Sequence, residues 1–484
     1  MLHELSQHAT EQAHEVPLCV DLDGTLVRSD MFVEGLLAAL RSPRSLLDLS
    51  RSIGGGRAGL KKRVAELTET DPQFLPYNEQ LIAYLREQKA LGRQLVLATA
   101  ADSEVAHKIA DHLGIFDEVI SSDGITNLKG ETKAQALEAR FGKKNFAFVG
   151  GDDADLPALI AAKSIVLVNA PDRVRRASLR KAVLEAEFNE KKPIFRSLLK
   201  AMRPYQWVKN FLVFVPMLTA HALLDAKSWV AALLLLGSFC ATASSIYIFN
   251  DLTDLAEDRR HSRKRSRPFA SGALSVKAGL ASSAVLLVLG LVLGGLSGAG
   301  TIVVLYAIAS ILYSWILKVF PLVDVFMLAG LYTIRLLGGG IATGHPVSPW
   351  LLGFSGFLFL SLALVKRTEE LGSAIRAGDA GGKVSARRGY YASDLQVLQL
   401  FGCASAFAAS VVLALFVGST AASAQYSRPE ALWAIVPLIL FWECRIWLSA
   451  SRGYMHDDPI VYAARDWVSW LVAAFVIILG AIAI

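Results

Sequence analysis

Cysteine is scarce in this chain. Four occur in 484 residues, Cys19, Cys240, Cys403 and Cys444, with no CxxC spacing, and three of them lie in apolar runs. That pattern excludes a disulfide-stapled scaffold and a thiolate zinc site, and it reads as buried small hydrophobes. Charge is thin too: 19% of residues are charged against 53% hydrophobic, with a net charge of +6. The first 15 residues are polar and lack the basic flank and apolar core of a cleavable signal peptide, so the N-terminal part is expected in the cytoplasm. No general base stands out. His261, His345 and His456 read as loop or interfacial residues, and only His261 adjoins a motif.

What is present divides sharply. Residues 1 to about 195 read as a soluble α/β protein, and from about 205 to 484 the chain is a series of apolar runs broken by short polar loops. The length alone calls for at least two domains. A spanning helix needs about 20 mostly apolar residues. On that basis nine spans are predicted: 208–224, 229–249, 276–296, 299–317, 322–343, 350–365, 397–418, 431–449 and 466–484. Pro216 and His221 interrupt the first. With the N-terminus inside, one set of loops carries Arg259, Arg260, Arg263, Lys264, Arg265 and Arg267, then Lys366, Arg367, Arg376, Lys383, Arg387 and Arg388. The opposite loops hold only Lys227 and Arg428. This bias satisfies the positive-inside rule. It also puts every polar motif on one membrane face. Lys191, Lys192, Pro193 and Arg196 precede the first span and suggest an interfacial connector.

Asp251, Asp254 and Asp258 are spaced three and four apart, so on a helix their carboxylates share one face. Like charges stacked this way repel, and a divalent cation relieves the repulsion. Mg²⁺ suits such a site, because it takes one or two carboxylates and completes its shell with substrate phosphate oxygens.

The run from Asn250 to Asp258, NDxxDxxxD, is followed by RPxxSG at Arg267–Gly272. Together they resemble the first signature of the UbiA prenyltransferase superfamily, all-helical intramembrane enzymes. RPxQWxKN at Arg203–Asn210, Asp324-Val325-Phe326, Leu331–Arg335, Ser361–Arg367 and Asp457-Asp458-Pro459-Ile460 are similar to its decaprenyl-phosphate phosphoribosyltransferase branch. The resemblance covers about 280 residues. It implies transfer of 5-phosphoribosyl from phosphoribosyl pyrophosphate to a polyprenyl phosphate, with Mg²⁺ on Asp251, Asp254 and Asp258. Asn250, Lys209, Arg267, Lys318, Asp324, Tyr332, Arg335, Lys366 and Arg367 would then contact substrate. The alternative is an aromatic polyprenyltransferase using a prenyl diphosphate. That reaction calls for a second acidic pair, DxxxD. Here Asp324 stands alone, with Leu328 four residues on and Lys318 and Arg335 nearby. Asp457 and Asp458 fit either ribose binding, closure of the site or a helix cap. A transporter would show polar residues mid-span and an inverted repeat, and neither is visible.

Pro17–Leu26 reads as a buried strand ending in DxDGT. Gln94–Ala100 is a second strand with Thr99 near its end, Lys133 opens a helix, and Phe146–Asp155 is a third strand ending in carboxylates. These motifs fall at carboxyl ends of strands, where open α/β sheets bind ligands. In this order they resemble the haloacid dehalogenase (HAD) superfamily. The resemblance implies a Rossmannoid phosphatase with a helical cap over about 30–92. Asp21 would be the nucleophile and Asp23 the acid and base. Thr99 and Lys133 would hold the phosphoryl group. Mg²⁺ would sit on Asp21, Asp23 and the last acidic motif. That motif departs from GDxxxD: Gly151 replaces the first acid, and Asp152 substitutes only with a one-residue shift.

The expected architecture is thus a HAD-like domain at 1–190, an interfacial segment at 191–204, and a UbiA-like membrane domain at 205–484. The expected partners are a polyprenyl phosphate lipid, phosphoribosyl pyrophosphate and the bilayer, with no nucleic acid. The expected setting is a bacterial cytoplasmic membrane, the phosphatase facing the cytoplasm.

Overall fold

A computed structural model describes residues 16–39, 48, 56–68, 70–189, 193–376, 389–455 and 458–484. Lys191, Lys192, Lys383, Arg387, Arg388, His456 and Asp457 lie outside the described residues. The chain forms two compact units. The first holds the residues up to Ala201 together with Ile248–Ser282. The second holds Met202–Tyr247 and Ser283–Ile484.

The first unit is built on six parallel strands in the order β3-β2-β1-β4-β5-β6: β1 Leu18–Val20, β2 Leu95–Asp102, β3 Glu118–Ser122, β4 Ala147–Gly150, β5 Ser164–Val168 and β6 Val183–Phe188. Each central strand is an unbroken apolar run because both of its faces are covered. Alternation assigns the faces. Leu18, Val20, Leu95, Leu97, Ala147 and Val149 join one core, and Cys19, Val96, Ala98, Phe146 and Phe148 join the other. Cys19 is therefore a buried small hydrophobe, as its sequence context suggested. β1 pairs with β2 on one side and β4 on the other. The chain reverses its direction of travel across the sheet beside β1, which opens a crevice at the carboxyl ends of β1 and β4. Helices Met31–Ala39, Gly56–Leu67 and Glu79–Ala90 occupy the stretch expected to form a helical cap.

Arg93 ties the far end of this sheet together. It makes two hydrogen bonds to Glu185, at 2.7 and 2.9 Å, and donates to Val16 O and Gln88 Oε1 at 3.0 Å each. Both side chains of the pair are buried. Burial opposes ionisation of Glu185, but Arg93 and Ser164 outweigh it and hold the carboxyl below its ordinary range.

The second unit is helical. Across the chain, six described helices are long and apolar enough to cross a membrane: Ala226–Thr253, Val276–Leu296, Val323–Thr343, Pro349–Arg376, Asp394–Val417 and the segment Pro429–Ser451. A seventh is counted if Pro459–Arg465 and Trp467–Ala483, bent by 84°, form one span. The expected nine are not confirmed by this count of the described residues. The 208–224 stretch is a 3-10 helix, Pro204–Phe214, followed by the short helix Val215–Thr219 with Pro216 in its first turn. Proline lacks the N–H that a continuous helix needs. The 299–317 stretch is a 16-residue helix, Gly300–Trp315, below the spanning length.

Removing one partner from a buried ion pair leaves an uncompensated charge. Arg93→Ala is expected to destabilise the first unit by about 3–5 kcal/mol in urea unfolding of the full chain. The folded pKa of Glu185 is depressed, so this contribution is present above the ordinary glutamate range and is lost as pH falls through the folded value.

Candidate functional site

The crevice beside β1 gathers the motif residues of the first unit. Asp21 follows β1 directly, and its N–H donates to Val149 O of β4 at 3.0 Å. Lys133, in the first turn of helix Glu131–Phe141, places Nζ 2.5 Å from Asp21 Oδ1 and 3.1 Å from Asp155 Oδ1. Asp23 Oδ1 accepts from Met31 N at 2.8 Å. Thr99 is buried on β2, and its hydroxyl accepts from Ala101 N. Lys61, from the cap helix Gly56–Leu67, donates to Ala100 O at 2.6 Å and to Asn127 Oδ1 at 2.9 Å, and its charge acts on Asp23.

Negative charge dominates this crevice. Burial and then Asp155 push the Asp21 carboxyl up, to about 8. Burial and then Asp30 push Asp23 to about 7. Burial would lower Lys133, but Asp21 and Asp155 outweigh it and raise it. Crowded carboxylates of this kind fit a cation and a phosphoryl group sharing the site. Asp152 is not brought to them. Its carboxylate turns back to accept from Asp155 N at 2.9 Å, while Asp155 Oδ2 accepts from Gly151 N at 3.1 Å. Position 151 has no room for an acid, because a Cβ there would lie 1.8 Å from Val168 O. The acid that belongs with Asp21 and Lys133 is Asp155, the last residue of the same motif run.

The acidic cluster after the Ala226–Thr253 helix is also in the first unit. Its three aspartates do not share one continuous helix. The helix ends at Thr253, and a second helix, Leu255–Arg260, starts after Asp254. Two of the carboxylates still converge: Arg267 Nη1 lies 3.0 Å from Asp251 Oδ1 and 2.6 Å from Asp258 Oδ2. Both aspartates are buried. Burial raises the Asp258 carboxyl, and Arg267 opposes the rise. Asp254 is half-buried; its N–H donates to Asn250 O at 2.9 Å, and its charge reaches Asp258. Among the described residues no three His, Cys, Asp or Glu side chains form a metal cage. Two carboxylates with substrate oxygens completing the shell are a donor set that Mg²⁺ uses, so Asp251 and Asp258 fit that ion, with Arg267 as the cation now between them.

The second unit holds a polar cluster of its own. Asp458 is its hub. Lys209 Nζ lies 2.7 Å from Asp458 Oδ2 and Lys366 Nζ 3.4 Å from the same oxygen, while Tyr332 OH donates to the carboxylate at 3.2 Å. Asp458 also caps the helix Pro459–Arg465 through Ile460 N. Burial alone would raise this carboxyl, but Lys209 and Lys366 hold it well below the usual range. Arg335 is buried too. Its Nε donates to Asn210 Oδ1 at 2.7 Å and its Nη2 to Tyr306 OH at 2.9 Å, and it stacks over the Tyr306 ring at 4.6 Å. Among the described residues no carboxylate pairs with Arg335.

Asp324 and Arg367 are brought together with each other. Arg367 Nη2 lies 2.6 Å from Asp324 Oδ2, and Tyr390 OH donates to Asp324 Oδ1 at 2.6 Å, all of it buried. Lys318 sits half-buried in the turn Leu317–Val319. Sequence reasoning left Lys61, Asp155 and Tyr306 unassigned. Only Asp155 lay inside a recognised motif run. Lys61 and Tyr306 carried no spacing signal.

Residues 211–455 match the UbiA prenyltransferase family and residues 18–163 match the haloacid dehalogenase-like hydrolases. The chain belongs to the UbiA prenyltransferase family; it is a multi-pass membrane transferase carrying a phosphatase-type domain. It is 37% identical over 478 residues to an uncharacterized protein, y4nM, of Sinorhizobium fredii, covering 96% of this chain and 90% of that one. It is 37% identical over 279 residues to the nodulation protein NoeC of Azorhizobium caulinodans, covering 56% of this chain and 88% of NoeC. It is 34% identical over 197 residues to the decaprenyl-phosphate phosphoribosyltransferase of Mycolicibacterium smegmatis, covering 39% of this chain and 61% of that enzyme. A UbiA homolog from Archaeoglobus fulgidus, solved with GPP and Mg²⁺, aligns at 18% identity and a TM-score of 0.46, covering 58% of this chain and 99% of the homolog.

Restoring the acid at position 151 therefore should not help. Gly151→Asp is expected to cost about 3 kcal/mol of stability through overpacking, and to bring no gain in phosphatase rate. Thermal unfolding and phosphate release on the same preparation check both.

Proposed function

We propose that the helical unit transfers 5-phosphoribosyl from phosphoribosyl pyrophosphate to a polyprenyl phosphate, and that the HAD-type unit then removes the 5-phosphate from the lipid product. The observation that carries this reading is the charge balance around Asp458. Lys209 and Lys366 bring two cations to the one carboxylate of Asp458, and Arg335 is buried in the same unit with no acid of its own among the described residues. A buried excess of positive charge is costly unless an anion arrives to share it. Substrates bearing several phosphates supply that anion. The donor carries a 5-phosphate and a pyrophosphate, and the acceptor adds one phosphate more.

In the transfer, the bond from ribose C1 to pyrophosphate breaks and the electron pair leaves with pyrophosphate. A new bond forms from C1 to an oxygen of the lipid phosphate. That oxygen is already anionic near neutral pH, since the second pKa of a phosphate monoester is about 6, so no general base is needed. Lys209 stabilises the departing charge in the helical unit; Arg267 balances Asp251 and Asp258 in the first unit. Asp251 and Asp258, with Asp254 beside them, would hold Mg²⁺, which would neutralise phosphate charge there. In the helical unit Tyr332 and Lys366 orient the donor and Lys318 steadies the acceptor phosphate, while Asn250 adjoins the acidic cluster of the first unit. The pairing of Asp324 with Arg367 bears on the alternative. A prenyl diphosphate enzyme of this family needs acidic residues in that region for a second ion, whereas Asp324 is already neutralised.

In the HAD-type unit, Asp21 attacks the phosphorus and Asp23 protonates the departing ester oxygen; water then hydrolyses the aspartyl phosphate with Asp23 as base. Thr99 and Lys133 hold the phosphoryl oxygens. Mg²⁺ there would rest on Asp21 and on the residue at Asp23, with Asp155 in place of the Asp152 expected earlier. Residence in the bacterial cytoplasmic membrane, with the HAD-type unit in the cytoplasm, follows from the basic loops.

Membranes given radiolabelled phosphoribosyl pyrophosphate, polyprenyl phosphate and Mg²⁺ should form a labelled lipid. Asp251→Asn should reduce its formation by about 100-fold or more. Asp21→Asn should let a lipid that still carries the 5-phosphate accumulate. Unchanged transfer in the first variant rejects the acidic cluster's role, and no accumulation in the second rejects the coupling.

A further inference from the structure

The phosphatase crevice is edged by a segment that the HAD-type match at 18–163 does not include. Residues 259–277 follow the acidic cluster and belong to the same compact unit as the sheet. Three contacts seat them. Arg259 is buried and makes a two-pronged ion pair with Glu34, with Nη1 at 2.8 Å and Nη2 at 2.5 Å, and it donates to Ala270 O. Arg260 lies 3.4 Å from Asp71 and stands over the Phe74 ring. Gly272, at φ +68°, lies against Arg28, where a Cβ would come within 2.6 Å of the Arg28 Cβ.

So seated, the segment delivers Lys277 to the mouth of the crevice. Its Nζ lies 2.9 Å from Asp30 Oδ2, and its charge is also felt by Asp152 and Asp23. Asp30 begins the turn that holds Asp23: Asp30 Oδ1 accepts from Val33 N, and the next residue, Met31, donates its N–H to Asp23. Lys277 is not needed as a clamp. Its side chain is 68% exposed and that of Asp30 is 28% exposed, and such a pair contributes little to stability. The buried Arg259–Glu34 pair holds the segment instead. What Lys277 supplies is a solvent-facing cation on Asp30, within electrostatic reach of Asp23 and Asp152, in addition to the half-buried Lys61 that also acts on Asp23. A cation there can exchange Asp30 for an incoming anion, leaving Asp30 Oδ1 on its helix cap.

We propose that Lys277 is a specificity residue of the phosphatase site, binding a second anionic group on a substrate whose first phosphate is taken at Asp21. The preferred substrate class is a bis-phosphorylated sugar ester, one phosphate to be cleaved and one to be recognised. This rests on reading residues 18–163 as a phosphatase, and it deepens that reading, because a ribosyl 5-phosphate joined to a lipid through a phosphodiester carries such a pair of anions.

The test uses the full chain in detergent, with Asp21→Asn to prevent turnover, titrated calorimetrically with ribose 5-phosphate and with fructose 1,6-bisphosphate. The bisphosphate should bind more tightly. Lys277→Gln should cut the ratio of the two affinities about five- to tenfold, Lys277→Arg should keep most of it, and Lys143→Gln, a surface-charge control on an exposed residue, should not change it. If both esters bind and the ratio is the same with Gln at 277, the proposal is overturned while the phosphatase reading stands. If neither ester binds, the phosphatase reading falls and this proposal with it.

Discussion

A lysine buried within an apolar helical unit must have a counter-charge, and Lys209 finds one in Asp458 at 2.7 Å. The segments they join are far apart in sequence, 249 residues from end to end. The pair draws the Pro204–Phe214 segment against the start of the helix Pro459–Arg465. Tyr332 and Lys366 then reach the same carboxylate from two other helices. Removing Asp458 would leave Lys209 and Lys366 close together with no carboxylate between them. On the proposed reading, an incoming phosphate would share that positive charge.

The first unit has the opposite sign. Its crevice crowds Asp21, Asp23, Asp30 and Asp155 around Lys133 and Lys61, and its acidic cluster sets Asp251 and Asp258 on one guanidinium. Anion-rich sites recruit magnesium and cation-rich sites recruit phosphate. A chain that carries both is equipped for phosphate esters twice over. Packing also ties chemistry to sequence order here. The segment after the acidic cluster is seated against the cap helix Met31–Ala39 by a buried ion pair, so the HAD-type unit includes residues contributed from beyond the first membrane helix.

Much of this was legible in the residues. Leu18–Val20 could only be a central strand, since three consecutive buried apolar residues run into two aspartates and a turn. The acidic run, RPxxSG and the phosphoribosyltransferase-like motifs point to the family by themselves. Hydropathy failed where backbone chemistry decided: Pro216 breaks the first apolar stretch, and Gly300–Trp315 stops short of a full crossing. Single-residue spacing failed at the last acidic motif. The sequence permits a shift that puts Asp152 in the site, but the Val168 carbonyl crowds position 151 and the turn aims Asp155 inward instead. Asp324 and Arg367 looked like independent substrate contacts, because nothing in a linear sequence tells that they neutralise each other. Glu34 and Arg259 lie 225 residues apart and carried no hint of their pairing.

The central claim is that the positively charged cluster around Asp458 serves a sugar diphosphate donor and a phosphate acceptor. Purified full chain, offered phosphoribosyl pyrophosphate and a prenyl diphosphate at equal concentration, with polyprenyl phosphate and 4-hydroxybenzoate both present, puts this to a direct choice. Consumption of phosphoribosyl pyrophosphate with release of one pyrophosphate per ribosylated lipid is the predicted result. Prenylation of the aromatic acid, with phosphoribosyl pyrophosphate left intact, would contradict it.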